Sequence, residues 1–132
     1  MRRSFVCGLL AAITMPLLMT APVAADEASV NACARSELRT GLRQQGSVVN
    51  KAASSCSDLN VIYVQNLEQS SYEQYAGFYR SSNGVWHIGS RGYVLLHDGP
   101  VNWVVLLSDV RTGTPMGVGS YWDPFDLVRI AH

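Results

Sequence analysis

The cysteines constrain the fold of this chain more than any other feature of the sequence. Cys7 lies within an apolar segment near the N-terminus, whereas Cys33 and Cys56 lie in the part that follows. An even pair of cysteines in an exported protein favours one disulfide, and a loop of this size gains about 3 kcal/mol of stability from it. The sequence therefore predicts a Cys33–Cys56 disulfide. Two free thiols at a redox or metal site are the alternative, but no C-x-x-C spacing supports it.

Export is indicated by residues 1–25, which have the three parts of a signal peptide. A short basic start precedes an apolar run from Phe5 to Met19, which is too short to span a membrane comfortably. Small residues then lead to a cleavage site predicted after Ala25. We therefore expect residues 26–132 to form a secreted or periplasmic protein with no transmembrane span. Twin-arginine export is an alternative to the general route.

Composition and charge argue against two classes of protein. Of the 132 residues, 48% are hydrophobic and 15% are charged, which does not fit a disordered chain and is adequate for one domain. Residues 26–132 carry a slight excess of acidic over basic side chains. A nucleic-acid-binding domain normally carries a basic surface, so no nucleic-acid partner is predicted. Gly117-Val118-Gly119 resembles part of a phosphate loop but lacks a following helix, so no cofactor is predicted.

Residues 28–45 show the best helical pattern of the chain. Apolar side chains recur there at steps of three and four residues, which places one apolar stripe on a helix. These side chains are Val30, Cys33, Ala34, Leu38 and Leu42. Arg35, Arg39 and Arg43 follow one another beside the stripe. They form either a solvated flank, which we favour, or an anion-binding edge.

Residues 57–131 are predicted to be rich in β-strands. The clearest hairpin joins residues 74–80 to 85–88 across Asn83-Gly84 and pairs Tyr79 with Trp86. A second hairpin is predicted between residues 93–97 and 101–107, with Trp103 in the core. The predicted fold is thus a small α+β domain spanning residues 26–132. Its N-terminal helix is tied by the disulfide to an antiparallel sheet of about five to seven strands.

Catalytic and metal-binding patterns are weak. His97 could serve a small hydrolase together with Asp98 or Asp109, but no G-x-S-x-G nucleophile turn accompanies it. The three histidines, His87, His97 and His132, match no metal motif in their spacing, and His132 is expected to be frayed. The sequence therefore predicts no catalytic residue and no metal site.

Aromatic residues in loop-like segments give the best candidates for a binding surface. Tyr72, Tyr121 and Trp122 lie in such segments, and tyrosine and tryptophan are favoured at recognition surfaces. We therefore hypothesise a non-enzymatic binding, inhibitor or envelope-associated module, with another exported protein or a glycan as its partner. The alternatives are a structural subunit of an envelope assembly, whose strands complete a partner's sheet, and the hydrolase that uses His97.

Overall fold

The computed structural model describes residues 32–132, and the predicted signal peptide, residues 1–25, lies outside them. The described part contains ten β-strands and no helix. The strands are β1 (Arg35–Arg39), β2 (Gly41–Leu42), β3 (Val49–Asn50), β4 (Leu59–Gln65), β5 (Tyr72–Arg80), β6 (Trp86–Ile88), β7 (Val94–His97), β8 (Gly99–Leu107), β9 (Pro115–Ser120) and β10 (Leu127–Ala131). None of residues 32–132 forms a helix that could cross a membrane.

Two sheets enclose one hydrophobic core, in place of the single sheet predicted. The first sheet is antiparallel and has the order β1-β10-β4-β8. In the second, β9 and β5 are central; β2 and β3 pair with the free side of β9, and β6 and β7 with the free side of β5. Both sheets contribute buried side chains to the core, among them Leu59, Val61, Tyr75, Met116, Val118 and Ile130.

The predicted disulfide is confirmed. Cys33 and Cys56 are bonded, with their Cα atoms 5.3 Å apart. The bond joins the segment before β1 to the segment before β4. Because these two strands lie on either side of β10, the disulfide holds three neighbouring strands of the first sheet at one end.

The predicted N-terminal helix is wrong over its described part, and with it the α+β fold class. Residues of β1 alternate between exposed and buried, and Leu38 turns inward opposite Val128 of β10. Arg43 has a φ of 55°, which is incompatible with a right-handed helix. The helical spacing of apolar residues is real, but pairing with β10 satisfies the backbone of β1 and buries Leu38, which outweighs a weak helical preference.

The hairpin of β5 and β6 is present, but its predicted register is shifted by one residue. Tyr79 pairs with His87 rather than Trp86, because five residues, 81–85, form the loop. Gly84 takes a φ of 84° within it. A one-residue shift moves every side chain of a strand to the opposite face, so His87 stacks on Tyr79 with ring centroids 5.3 Å apart.

The second predicted hairpin does not form, and Trp103 is not in the core. β7 pairs with β5 and β8 pairs with β4, so the chain changes sheets between them, at Gly99 with its φ of 100°. Register shifts interrupt the pairing of β8 with β4. Trp103 lies at this irregularity with a φ of 49°, and its side chain is 46% exposed, because bulges redirect side chains from the alternating pattern.

His132 is buried rather than frayed. Its backbone pairs with Ala34, and its ring accepts a hydrogen bond from the Ala52 N–H at Nδ1, 3.1 Å away. Nε2 therefore carries the ring proton and donates a hydrogen bond to Ser36 Oγ at 3.0 Å. Burial lowers the pKa of His132, and the nearby charge of Lys51 lowers it further. His132 thus fastens β10 to the disulfide-bonded segment.

Candidate functional site

The three aromatic residues predicted to bind a partner lie side by side at one end of the molecule. Tyr72 begins β5, and Tyr121 and Trp122 directly follow β9. The Trp122 ring lies 6.0 Å from the Tyr72 ring and 6.1 Å from the Tyr121 ring. Their exposed fractions are 46% for Tyr72, 36% for Tyr121 and 45% for Trp122. The fold thus brings residues nearly fifty positions apart in sequence into one exposed cluster.

Three further side chains extend this cluster. Tyr93 packs against Tyr121 at 5.1 Å, and His97 packs against Tyr72 at 6.1 Å. The Arg43 guanidinium lies 4.4 Å from the Tyr121 ring centroid and donates a hydrogen bond to the Tyr121 carbonyl. We call the set the aromatic surface; it consists of Tyr72, Tyr93, His97, Tyr121, Trp122 and Arg43. Burial raises the pKa of Tyr93, although the nearby charge of Arg43 lowers it.

The rings of the aromatic surface meet edge to face. The interplanar angles are 70° for Tyr72 with Trp122, 85° for Tyr121 with Trp122 and 75° for Tyr93 with Tyr121. Aromatic pairs prefer this arrangement, and each pair contributes about 1 kcal/mol beyond the area that it buries. The rings therefore hold one another in place and form an uneven surface rather than one flat platform.

Glu73 holds the loop that carries Tyr121 and Trp122. Its side chain is buried, and its carboxylate accepts hydrogen bonds from the backbone N–H groups of Trp122 and Asp123, at 3.2 and 3.0 Å. It also accepts one from the N–H of Gln74 at 2.6 Å. A buried carboxylate needs such donors, and charged acceptors make the stronger kind of hydrogen bond. Glu73 is thus a positioning residue for the exposed rings.

A second buried carboxylate, that of Asp126, closes the same loop at its far end. It accepts hydrogen bonds from the Tyr75 hydroxyl at 2.7 Å and from the Leu67 N–H at 3.0 Å. Burial raises the pKa of Asp126, although these two hydrogen bonds lower it. Burial and the hydrogen bond to Asp126 raise the pKa of Tyr75 well above its usual value.

Hydroxyl groups complete the buried network below the loop. Thr40 Oγ1 accepts a hydrogen bond from the Asp126 N–H and shares another with the Ser120 hydroxyl, both at 3.0 Å. Ser120 Oγ also donates to the Asp123 carbonyl. Because both loop ends are tied to buried groups, residues 121–126 form a rigid support.

The proposed hydrolase residues are not brought together. The Asp98 carboxylate accepts a hydrogen bond from the Asn66 N–H at 2.8 Å, and the His97 ring contacts Tyr72. Asp109 lies after β8, in a cavity with Arg111 and Tyr79 at the opposite end of β5 from Tyr72. Within residues 32–132 no hydrogen bond joins His97 to either carboxylate.

The three histidines lie in separate parts of the structure. His87 stacks on Tyr79, His97 belongs to the aromatic surface, and His132 is buried near the disulfide. Across residues 32–132, no three His, Cys, Asp or Glu side chains form a group that could hold a metal ion.

Four residues of this site, namely Tyr93, His97, Arg43 and Glu73, were not predicted to belong to a binding surface. Tyr93 was assigned to a hairpin that does not form, and Arg43 to a helix that does not form. Glu73 is an acidic residue in a polar segment with no local sign of burial. Only its alternation with Tyr72 and Gln74 along a strand could have suggested that it points inward.

Comparison of this chain with protein-family models, with curated proteins and with solved structures finds no match.

Proposed function

We propose that this chain is a non-enzymatic binding module that recognises another exported protein through the aromatic surface. One observation carries the proposal: five exposed or half-exposed rings and an arginine form a contiguous cluster on a rigid support. Tryptophan, tyrosine and arginine are the residues that dominate the binding energy of protein interfaces. The disulfide favours an oxidising compartment, and this supports export by the predicted signal peptide.

The rigidity of the loop supports a role in binding. Ordering a loop on association costs free energy, and a loop that is already ordered avoids that cost. Here Glu73 and Asp126 fasten the loop from below, while Arg43 fastens it from the side. Tyrosine and tryptophan have few rotatable bonds, so their rings offer a large contact area at low entropic cost.

A protein partner fits the surface better than a glycan. The perpendicular rings do not form a flat face, and two further exposed apolar side chains lie on the elements that carry them. Leu95 is exposed on β7, and Phe125 is 64% exposed in the loop. Apolar anchors of this kind fill pockets on a protein partner, and the surrounding polar residues provide a rim. The structural-subunit alternative is less favoured, because register shifts interrupt β8, an edge strand of the first sheet.

The proposal can be tested by capture followed by titration. The oxidised protein is immobilised and exposed to the secreted and envelope fractions of its source, and each retained protein is purified and titrated against it. We expect one partner at a defined stoichiometry, with the variant Tyr121→Ala/Trp122→Ala binding at least about 30-fold more weakly, since loss of even one such anchor costs about 2 kcal/mol.

The matched control is Val85→Ala/Ile88→Ala, which removes two exposed apolar side chains near the other end of β5. It should bind the partner as the unmodified protein does. Retention of the partner by both variants, or retention of a glycan alone, would refute the proposal. Unchanged circular dichroism of both variants would show that any loss reflects the surface rather than the fold.

A further inference from the structure

A second site lies at the opposite end of β5 from the aromatic surface. From Tyr72 to Arg80 this strand spans about 26 Å. Two adjoining cavities lie beside Tyr79, with volumes of about 310 and 640 Å³. They share Tyr79, Arg111 and Thr114 in their linings, and we call the two adjoining cavities together the arginine groove.

The arginine groove carries an excess of positive charge. Arg80, Arg91 and Arg111 line it, and Asp109 is the one acidic residue in its lining. Within residues 32–132 the one ion pair joins Arg129 to Glu37, so no carboxylate neutralises the three arginines at close range. This concentration of positive charge contrasts with the slight acidic excess of residues 26–132 and favours anions in the groove.

The three guanidinium groups are available to a ligand. Arg91 donates one hydrogen bond from Nη1 to the Val105 carbonyl at 3.3 Å, which leaves its other donors free. Arg80 lies 5.9 Å from the Trp86 ring centroid. Across residues 32–132 the Arg111 side chain makes no hydrogen bond. Guanidinium groups present paired donors that match carboxylate, sulfate and phosphate oxygens.

Six hydroxyl side chains also line the arginine groove, beside the apolar Leu106, Leu107, Val110 and Pro115. The hydroxyls come from the loop after β5, from the segment after β6 and from the loop between β8 and β9. The residues that carry them are Ser81, Ser82, Ser90, Ser108, Thr112 and Thr114. Hydroxyls both donate and accept hydrogen bonds, as do the hydroxyls of a sugar. The half-buried Tyr79 ring, stacked on His87, lies between the two cavities.

We infer that the arginine groove binds an acidic polysaccharide. The charge favours an anion, the two adjoining cavities favour an extended ligand, and the six hydroxyl side chains favour a ligand rich in hydroxyls. Arginine clusters also recognise acidic peptide motifs, and other extended peptides bind by addition to a sheet edge. The nearest edge strand, β6, is only three residues long. This inference does not depend on the aromatic surface, which lies at the other end of the molecule.

Titration of the oxidised protein with defined oligomers tests the inference. The probes are a sulfated heparin decasaccharide and a carboxylated oligogalacturonate of ten sugars, with a neutral dextran oligomer and decaglutamate for comparison. We expect both acidic saccharides to bind and the neutral one not to bind. Arg111→Gln should weaken binding about tenfold, because it removes charge-assisted hydrogen bonds.

The matched control is Arg35→Gln, which removes the same charge from an exposed position on β1. It should change the affinity less than twofold, and NMR amide shifts on binding should centre on Gly84, Thr112 and Gly113. Three results would overturn the inference: no binding of either acidic saccharide, equal weakening by both variants, or decaglutamate binding as tightly as the saccharides. The last result would assign the groove to acidic peptides.

Discussion

The buried carboxylate of Glu73 provides the sharpest test of how the aromatic surface is held. Glu73→Gln keeps the size and shape of the side chain but replaces one acceptor oxygen with an NH₂ group. If the retained oxygen takes the place of Oε1, it still accepts a hydrogen bond from the Gln74 N–H. The NH₂ group then takes the place of Oε2, which accepted a hydrogen bond from the Asp123 N–H at 3.0 Å. Two donors then face each other in a buried place, and the Trp122 N–H retains only a neutral acceptor.

The expected cost follows from these contacts. Loss of one hydrogen bond to a charged group costs about 1.5–3 kcal/mol, and the remaining bonds weaken when the acceptor is neutral. The amide is easier to bury than a carboxylate, which offsets part of this loss. We therefore expect Glu73→Gln to lower the free energy of unfolding by about 2 kcal/mol, which lowers the Tm by about 10 °C for a domain of this size.

Urea unfolding and hydrogen exchange together check this expectation. The control is Glu37→Gln, which makes the same chemical change in an exposed ion pair with Arg129 and should cost less than about 1 kcal/mol. Amide exchange at Trp122 and Asp123 should accelerate in Glu73→Gln and stay unchanged in Glu37→Gln. Equal costs for the two variants, with unchanged protection at Asp123, would refute the role assigned to Glu73.

Three further results are expected. Cys33→Ser/Cys56→Ser should lose about 3 kcal/mol in urea unfolding, because the disulfide closes a loop over a separation of 23 residues; an unchanged midpoint would contradict this. The stability that neutral His132 contributes should be complete above pH 6.5, the ordinary pKa of histidine, and should fall as the pH drops toward its lowered folded-state pKa, because the unfolded chain takes up the proton first. The free energy of unfolding, measured from pH 7.5 to 5.5, should therefore fall more steeply in the unmodified protein than in His132→Gln. Parallel profiles for the two proteins would contradict this expectation. Gly119→Ala should cost about 1–3 kcal/mol, because its Cβ would lie 2.5 Å from the Gln44 carbonyl oxygen and 2.7 Å from the Phe78 ring; a thermal scan that shows no loss would argue against so close a contact.

Local sequence signals succeeded where a local cause acts. The Asn83-Gly84 turn was identified because glycine readily adopts the positive φ that the loop requires. The predicted pairing of Tyr79 with Trp86 was wrong, because loops of four and five residues have the same turn residues but place the strands in different registers. The prediction that Trp103 lies in the core was wrong for a related reason, since an apolar strand does not reveal where bulges will interrupt it.

The candidate site was predicted in part. The exposure of Tyr72, Tyr121 and Trp122 was predicted from their loop-like neighbours, and the structure places them at the surface. Their assembly into one cluster could not be predicted, because the supporting contacts join residues about fifty positions apart. The hydrogen bonds of Glu73 to Trp122 and of Tyr75 to Asp126 are of this kind.

The Cys33–Cys56 pairing and the β-rich character of residues 57–131 could be predicted from local features of the sequence. Both depend on a small number of local facts: two cysteines remain after Cys7, and β-branched and aromatic residues alternate between turns. Three other features depend on long-range contacts: β1 is a strand, β7 and β8 join different sheets, and buried carboxylates support the loop that carries Tyr121 and Trp122. The physical reason is that strands, unlike helices, satisfy their backbone with distant partners, so their conformation depends on which segments meet.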